Sequence, residues 1–285
     1  TQRESSVETG NTITINAAEN ATANVTISDV NINTSDAAVF TKGKGNVNIE
    51  LDGTNTLKSS NWHAGLEKNN DGKLTITDKN ENGKLIATGS RYGAGIGGGN
   101  QRNGSNITIT GGEITAIGGY SGAGIGGGNY KDGNDINIAG GKVTATGGDY
   151  GAGIGGGNQG NGKNITITGG EVTAAGGTNG AGIGGGLRKE GEKITVSGDA
   201  TLKVQGGSGD GWDGAGAGIG NGGNHNGEFS GSFIPVNAAE TEPDTSNLTT
   251  GKIEYYAPGA DMTKDKPTST TLGSGQPEPV SPGET

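Results

Sequence analysis

The sequence predicts an all-β fold, a single-stranded parallel β-helix solenoid of about seven turns with three short strands to a turn, and three observations carry that prediction. The string GAGIGGG begins at Gly93 and returns at Gly122, Gly151 and Gly180, a fixed step of 29 residues. Between the copies, apolar and polar residues alternate in short runs broken by glycine or asparagine, the pattern of strands rather than of helices. Stacked on the 29-residue period, the apolar letters fall into columns. A unit of this size with three strands and no helix makes one turn of a coil in which each strand pairs with its counterpart one turn on. Seven turns span roughly 34 Å at a strand spacing of ~4.8 Å. Parallel crossovers favour the right-handed coil.

In chain order, NTITINAAENATANVTI begins the stack, and AAV at Ala37–Val39 and HAGL at His63–Leu66 are weaker copies of the Ala-Gly-Ile centre. The first segment of each turn supplies the columns Leu74, Ile107, Ile136, Ile165, Ile194 and Ile76, Ile109, Ile138, Ile167, Val196. Leu85, Ile114, Val143, Val172 and Leu202 come from the second segment, and Leu66, Ile96, Ile125, Ile154, Ile183 and Ile219 from the third. These are predicted core ladders. Lys84, Glu113, Lys142 and Glu171 precede the second segment in successive turns, so charges of alternating sign should lie one strand apart. An altered copy, GAGIGNG, starts at Gly216 after an insertion of about six residues, GDGWDG, and insertions in solenoids gather on one face. SGSFIPVN and GKIEYYAPG should close the stack. The expected organisation is a β-helix with its N-terminal cap over 1–235, a capping segment over 236–262, and a linker rich in Pro, Thr and Ser over 263–285.

Composition narrows the function. Glycine occupies 63 of 285 positions, but in register, which points to repeated structure rather than disorder. The formal charge of -10 has the wrong sign for gripping a phosphate backbone, so no nucleic-acid partner is expected. No apolar run approaches the length of a membrane-spanning helix, so no membrane insertion is expected either. With no cysteine there is no disulfide, thiolate metal site or thiol nucleophile. The chain does not begin with Met, and it reads as a trimmed fragment.

The glycines suggest a site. Strand alternation puts Ala94 and Ile96 inside, which predicts a bare strip of Gly95, Gly124, Gly153 and Gly182 on the outer face of the third sheet. Trp62, Tyr92, Tyr120, Tyr150 and Trp212 precede this strip at one corner of the turns, and Asn100, Asn129 and Asn158 follow it. A flat floor with an aromatic edge and amide groups suits a hydroxyl-rich ring such as a sugar, since ring faces offer apolar contact and amides directional hydrogen bonds. The same residues also fit purely structural roles: aromatics that stack to seal a corner, asparagines that satisfy turns, and glycines that let backbones approach.

Catalytic chemistry is sparse. His63 and His225 are the only histidines, no GxSxG or HExxH motif occurs, and GAGIGGG is followed by no helix that would hold a phosphate. No cluster of Asp, Lys or Arg recurs on adjacent turns outside the Lys/Glu ladder, so no enzyme activity is expected. For metals, Asp78, Asn80 and Asn82 followed by Gly83 match the start of a calcium loop. Gly89 stands where that loop needs a bidentate Glu, and an Asx-rich turn is the reading preferred over a calcium site. No other cofactor is expected.

Segments such as GKLTITDKNENGKLIATGS, YGAGIGGGN and NITITGGEVTA resemble the β-helical regions of large secreted or wall-anchored proteins of Gram-positive bacteria, and a carbohydrate-binding β-helix family of such organisms. The likeness covers Val25–Gly223. It implies an extracellular, cell-surface or cell-wall location within a multi-domain parent, and it carries over no ligand residue. With the columns above, the expectation is a non-catalytic, adhesin-like surface module that binds polysaccharide or glycoprotein glycan. The alternatives are a structural spacer or stalk and, third, a polysaccharide lyase.

Overall fold

The computed structural model describes residues 7–210, 212–226, 234–236 and 242–275. The chain coils through three sheets, of eight, seven and nine strands among the described residues, and every strand-to-strand step within the coil is parallel, the one antiparallel step being the last strand added at the end of the nine-stranded sheet. The described residues contain no helix. The predicted columns are the observed register: Ile96 pairs with Ile125, Ile125 with Ile154 and Ile154 with Ile183, all fully buried. Ile107 pairs with Leu74 and Ile136, and Ile114 with Leu85 and Val143, in the other two sheets. One continuous apolar core runs from Ile15 to Ile253. Alternation explains it, because i and i+2 share a face and the period returns that face to the same side on every turn. The Lys/Glu ladder is in register too, with Lys84 Nζ 2.8 Å from Glu113 Oε2, and that hydrogen bond and charge hold the Glu113 carboxyl below its ordinary value.

At the start, Ile13–Ala17 pairs with Val39–Gly43, and Thr22–Ser28 with Asn46–Asp52, as the first strands of the stack. At the end, Lys252–Tyr256 adds to Thr201–Gln205 as a parallel strand. Of SGSFIPVN, Ile234–Val236 pairs antiparallel with Asn224–Asn226, and the rest lies outside the described residues, as does the His225 side chain. The linker expectation for 263–285 is corrected in its first half. Ser269–Leu272 pairs antiparallel with Lys252–Tyr256, and Gly273, Ser274 and Gly275 donate to the Gly251, Leu248 and Thr249 carbonyls. A polar strand suffices there because it covers a sheet edge whose other face already has its core. Residues 276–285 lie outside the described residues.

The expectation of a bare glycine floor is overturned. Every residue of the four GAGIGGG copies is buried. A Cβ on Gly95 would lie 2.5 Å from the Ile117 nitrogen and 2.9 Å from the Ala87 carbonyl oxygen, and one on Gly124 2.7 Å from the Thr146 nitrogen. The strip faces the ends of the neighbouring strands, backbone against backbone. Alternation assigns a residue to a face, but it does not say what else covers that face.

Candidate functional site

The corner of the turns before and after the glycine string nevertheless forms a depression that is the candidate site. The depression, of about 460 Å³, is lined by Trp62, Tyr92, Tyr120 and Tyr150 together with Asn100, Asn129 and Asn158. Seven of the eight predicted side chains therefore converge. The eighth, Trp212, does not line it; it is exposed on the inserted loop, where its backbone N–H donates to Asp210.

The convergence follows from the backbone. The Asn100 N–H donates to the Trp62 carbonyl, Asn129 to Tyr92, and Asn158 to Ser121, so each asparagine lies beside the aromatic corner of the preceding turn. This pairing also shows that Tyr120 is one place out of the column that holds Trp62, Tyr92 and Tyr150; Ser121 stands in that column instead. Tyr120 meets Tyr150 edge to face, with ring centres 4.9 Å apart and hydroxyls hydrogen-bonded at 2.9 Å. That hydrogen bond, with burial and the nearby Asp210 and Asp149, pushes the Tyr150 hydroxyl up to about 12. The Arg91 guanidinium lies 5.4 Å from the Tyr92 ring centre and 5.5 Å from that of Tyr120, within cation–π range.

The asparagines form an amide ladder. Asn158 Nδ2 donates to Asn129 Oδ1 at 3.1 Å and Asn129 Nδ2 to Asn100 Oδ1 at 3.3 Å. The ladder stops at the next turn because Leu187 takes the position. Asn158 Oδ1 is left buried with no hydrogen-bond partner among the described residues. Buried acceptors are seldom left so.

Sequence reasoning missed Tyr130, which lines the same depression and is 52% exposed. Tyr130 occupies the loop position that follows the asparagine column, shared by Gln101, Gln159 and Arg188, and all four are left-handed, with φ between 51° and 61°. Trp62 has φ 82° and is 63% exposed. A bulky side chain in left-handed backbone is an outlier that costs on the order of 1 to 3 kcal/mol. Reading the column after the asparagines would have revealed one aromatic among Gln and Arg.

Of the calcium candidates, Asp78 and Asn82 line one depression with Glu81, and Asn80 does not join them. Asp78 Oδ2 closes its own turn by accepting from the Gly83 N–H, Asn82 donates to Asp52, and Asn80 lines a different depression with Glu50 and Lys79.

Among known families, a model of the beta helix repeat matches residues 81–100, 107–129, 136–158 and 165–187. This part of the chain is a parallel β-helix repeat region. No curated protein and no solved structure matches the chain. The matched repeats hold Tyr92, Tyr120, Tyr150 and the three asparagines, whereas Trp62 and Tyr130 fall outside them.

Proposed function

We propose that this depression is a glycan-binding groove, and that the chain is a non-catalytic, extracellular surface module that binds polysaccharide or glycoprotein glycan. The observation that carries the reading is that Trp62 and Tyr130 are held exposed by left-handed backbone on the edge of one groove. Core packing rewards neither ring there, and the backbone disfavours both. Ring faces, neutral amides and the unpaired Asn158 Oδ1 suit a ligand of flat apolar faces and many hydroxyls. Among the described residues, the lining itself carries no carboxylate and no histidine, with Asp149 and Asp210 near Tyr150 but not on it, which favours holding a sugar over hydrolysing one, since glycoside hydrolysis needs a pair of acids.

The alternative, a spacer, draws on the Tyr120–Tyr150 pair and the amide ladder, which satisfy each other internally. Binding of a panel of plant, microbial and mucin oligosaccharides separates the two. Wild type should bind at least one chain, more tightly as it lengthens, and Trp62→Ala with Tyr130→Gln should weaken that binding about tenfold or more with no fall in melting temperature. No binding to any glycan in the panel favours the spacer.

A further inference from the structure

A second depression, of about 350 Å³, adjoins the aromatic groove, and Gln101 lines both. Its walls carry Lys68, Arg102 and Lys131 among the amides of Asn69, Asn103 and Asn106. Lys68 ends the strand Leu66–Lys68, where alternation turns it to the side of Leu66, and it is only 6% exposed. Later turns place Gly98, Gly127, Gly156 and Gly185 at this position. The Lys68 ammonium donates to the Asn70 carbonyl, and Arg102 Nη1 donates to Asn69 Oδ1 at 2.6 Å. Among the described residues none of the three cations forms an ion pair. Among the described residues, Asp71 is the one carboxylate on these walls. Lysine is almost never fully buried without a paired anion, so a lysine placed where the repeat otherwise needs glycine calls for one.

We propose that this pocket is an oxyanion subsite that takes a carboxylate or sulfate substituent of the glycan bound in the adjoining groove. The inference rests on the glycan reading of that groove. Chain connectivity supplies the link between them. Tyr130 lines the groove and Lys131 the pocket, so a sugar ring stacked on Tyr130 presents its substituents towards Lys131 and Arg102. A guanidinium and two ammonium groups give charge-assisted hydrogen bonds to an oxyanion, and the asparagine amides add neutral donors. The net charge of -10 does not oppose this, because at physiological salt charges beyond about 8 Å are largely screened and the nearest groups decide.

The test uses chondroitin sulfate hexasaccharides in four forms: intact, desulfated, carboxyl-reduced, and stripped of both groups. Calorimetry at physiological salt, where the screening argument holds, compares wild type with the Arg102→Gln/Lys131→Gln double variant, whose fold is checked by melting. The stripped chain should bind both proteins alike through the groove. At least one anionic form should bind wild type about tenfold tighter than the stripped chain, and the double variant should lose that advantage. The desulfated and carboxyl-reduced arms show which group is read. Equal affinity for anionic and stripped chains, or an advantage that survives in the double variant, overturns the subsite and leaves the groove standing. Failure of all four forms to bind overturns the subsite as a reader of this oligosaccharide's anionic groups, while the groove is decided separately by the oligosaccharide panel above.

Discussion

The early turns and the repeat region fill the same cross-section with different material. In the early turns, buried side chains do the joining: Thr41 donates to Asn70 at 2.8 Å, Asn55 accepts from the Val30 N–H and donates to the Asp52 and Lys84 carbonyls, and Glu67 accepts from the Ala64 N–H beside His63. In the repeats the stretch aligned with Glu67 and Lys68 is joined by backbone, with the Ala94 N–H donating to Gly98 and the Gly98 N–H to Gly126, and side chains enter beside it through the asparagine ladder. Backbone turns stack identically and carry no chemical identity of their own. Side-chain turns are irregular, and each can hold a charge or a ring at one place. The groove and the cation pocket both lie where the two meet: Trp62 and Lys68 come from the irregular side, and Tyr92, Arg102 and Lys131 from the repeats.

The largest expected effect breaks the repeat side. Ile154 is fully buried between Ile125 and Ile183, and Ile154→Asp would place a carboxylate there with no partner. Stability should fall by several kcal/mol, read from urea unfolding. An aspartate tolerated at that column would mean the core does not continue through the repeats.

Next in size comes the backbone turn. Gly126 has φ 134°, and a Cβ there would lie 2.0 Å from the Gly155 carbonyl oxygen. Gly126→Ala should cost about 3 kcal/mol, because it adds a clash to a conformation closed to L side chains. Glu67 holds the same register position one region earlier, paired with Gly97, and its side chain is accommodated there. Glu67→Ala should therefore cost less than Gly126→Ala. The reverse order in paired unfolding curves would remove the contrast between the two regions.

Much of this was open to sequence reading, for a physical reason. A fixed period aligns side chains that truly lie one strand apart, so the isoleucine columns, the Lys/Glu ladder and the Asn100, Asn129, Asn158 column could be read by counting. What counting missed depends on how the path bends between strands. Tyr120 is a different case, because counting places it: it precedes its glycine by two residues where Tyr92 and Tyr150 precede theirs by one, so the 29-residue step itself puts Ser121 in the column, and the backbone pairing agrees. The glycine strip seemed open because alternation describes one sheet, whereas a neighbouring sheet's strand ends cover it. Ser269–Leu272 carries too little apolar pattern to be distinguished from a linker, since an added edge strand buries little.

The smallest effect tests the irregular side through Lys68. Burial outweighs the pull of Asp71 and lowers its amine from 10.5 to about 8. Below pH 8 the folded and unfolded chains both carry the proton, and the full cost of burying charge is present. Between pH 8 and 10.5 the folded chain sheds a proton that the unfolded chain keeps, so stability rises with pH across that window. The gain should be on the order of 2 kcal/mol after allowance for the solvent that reaches the amine. Other groups titrate nearby; Tyr150, raised to about 12, works in the opposite direction, losing stability as pH rises from 10. The informative quantity is therefore the difference between wild type and Lys68→Met, followed by urea unfolding from pH 7 to 10.5, in which the shared groups cancel. Lys68→Met should lead at neutral pH and lose that lead as wild type discharges its amine. If the difference stays level across the window, the amine is not held in a costly charged state at neutral pH, and the seam between the two regions carries no charge awaiting a partner.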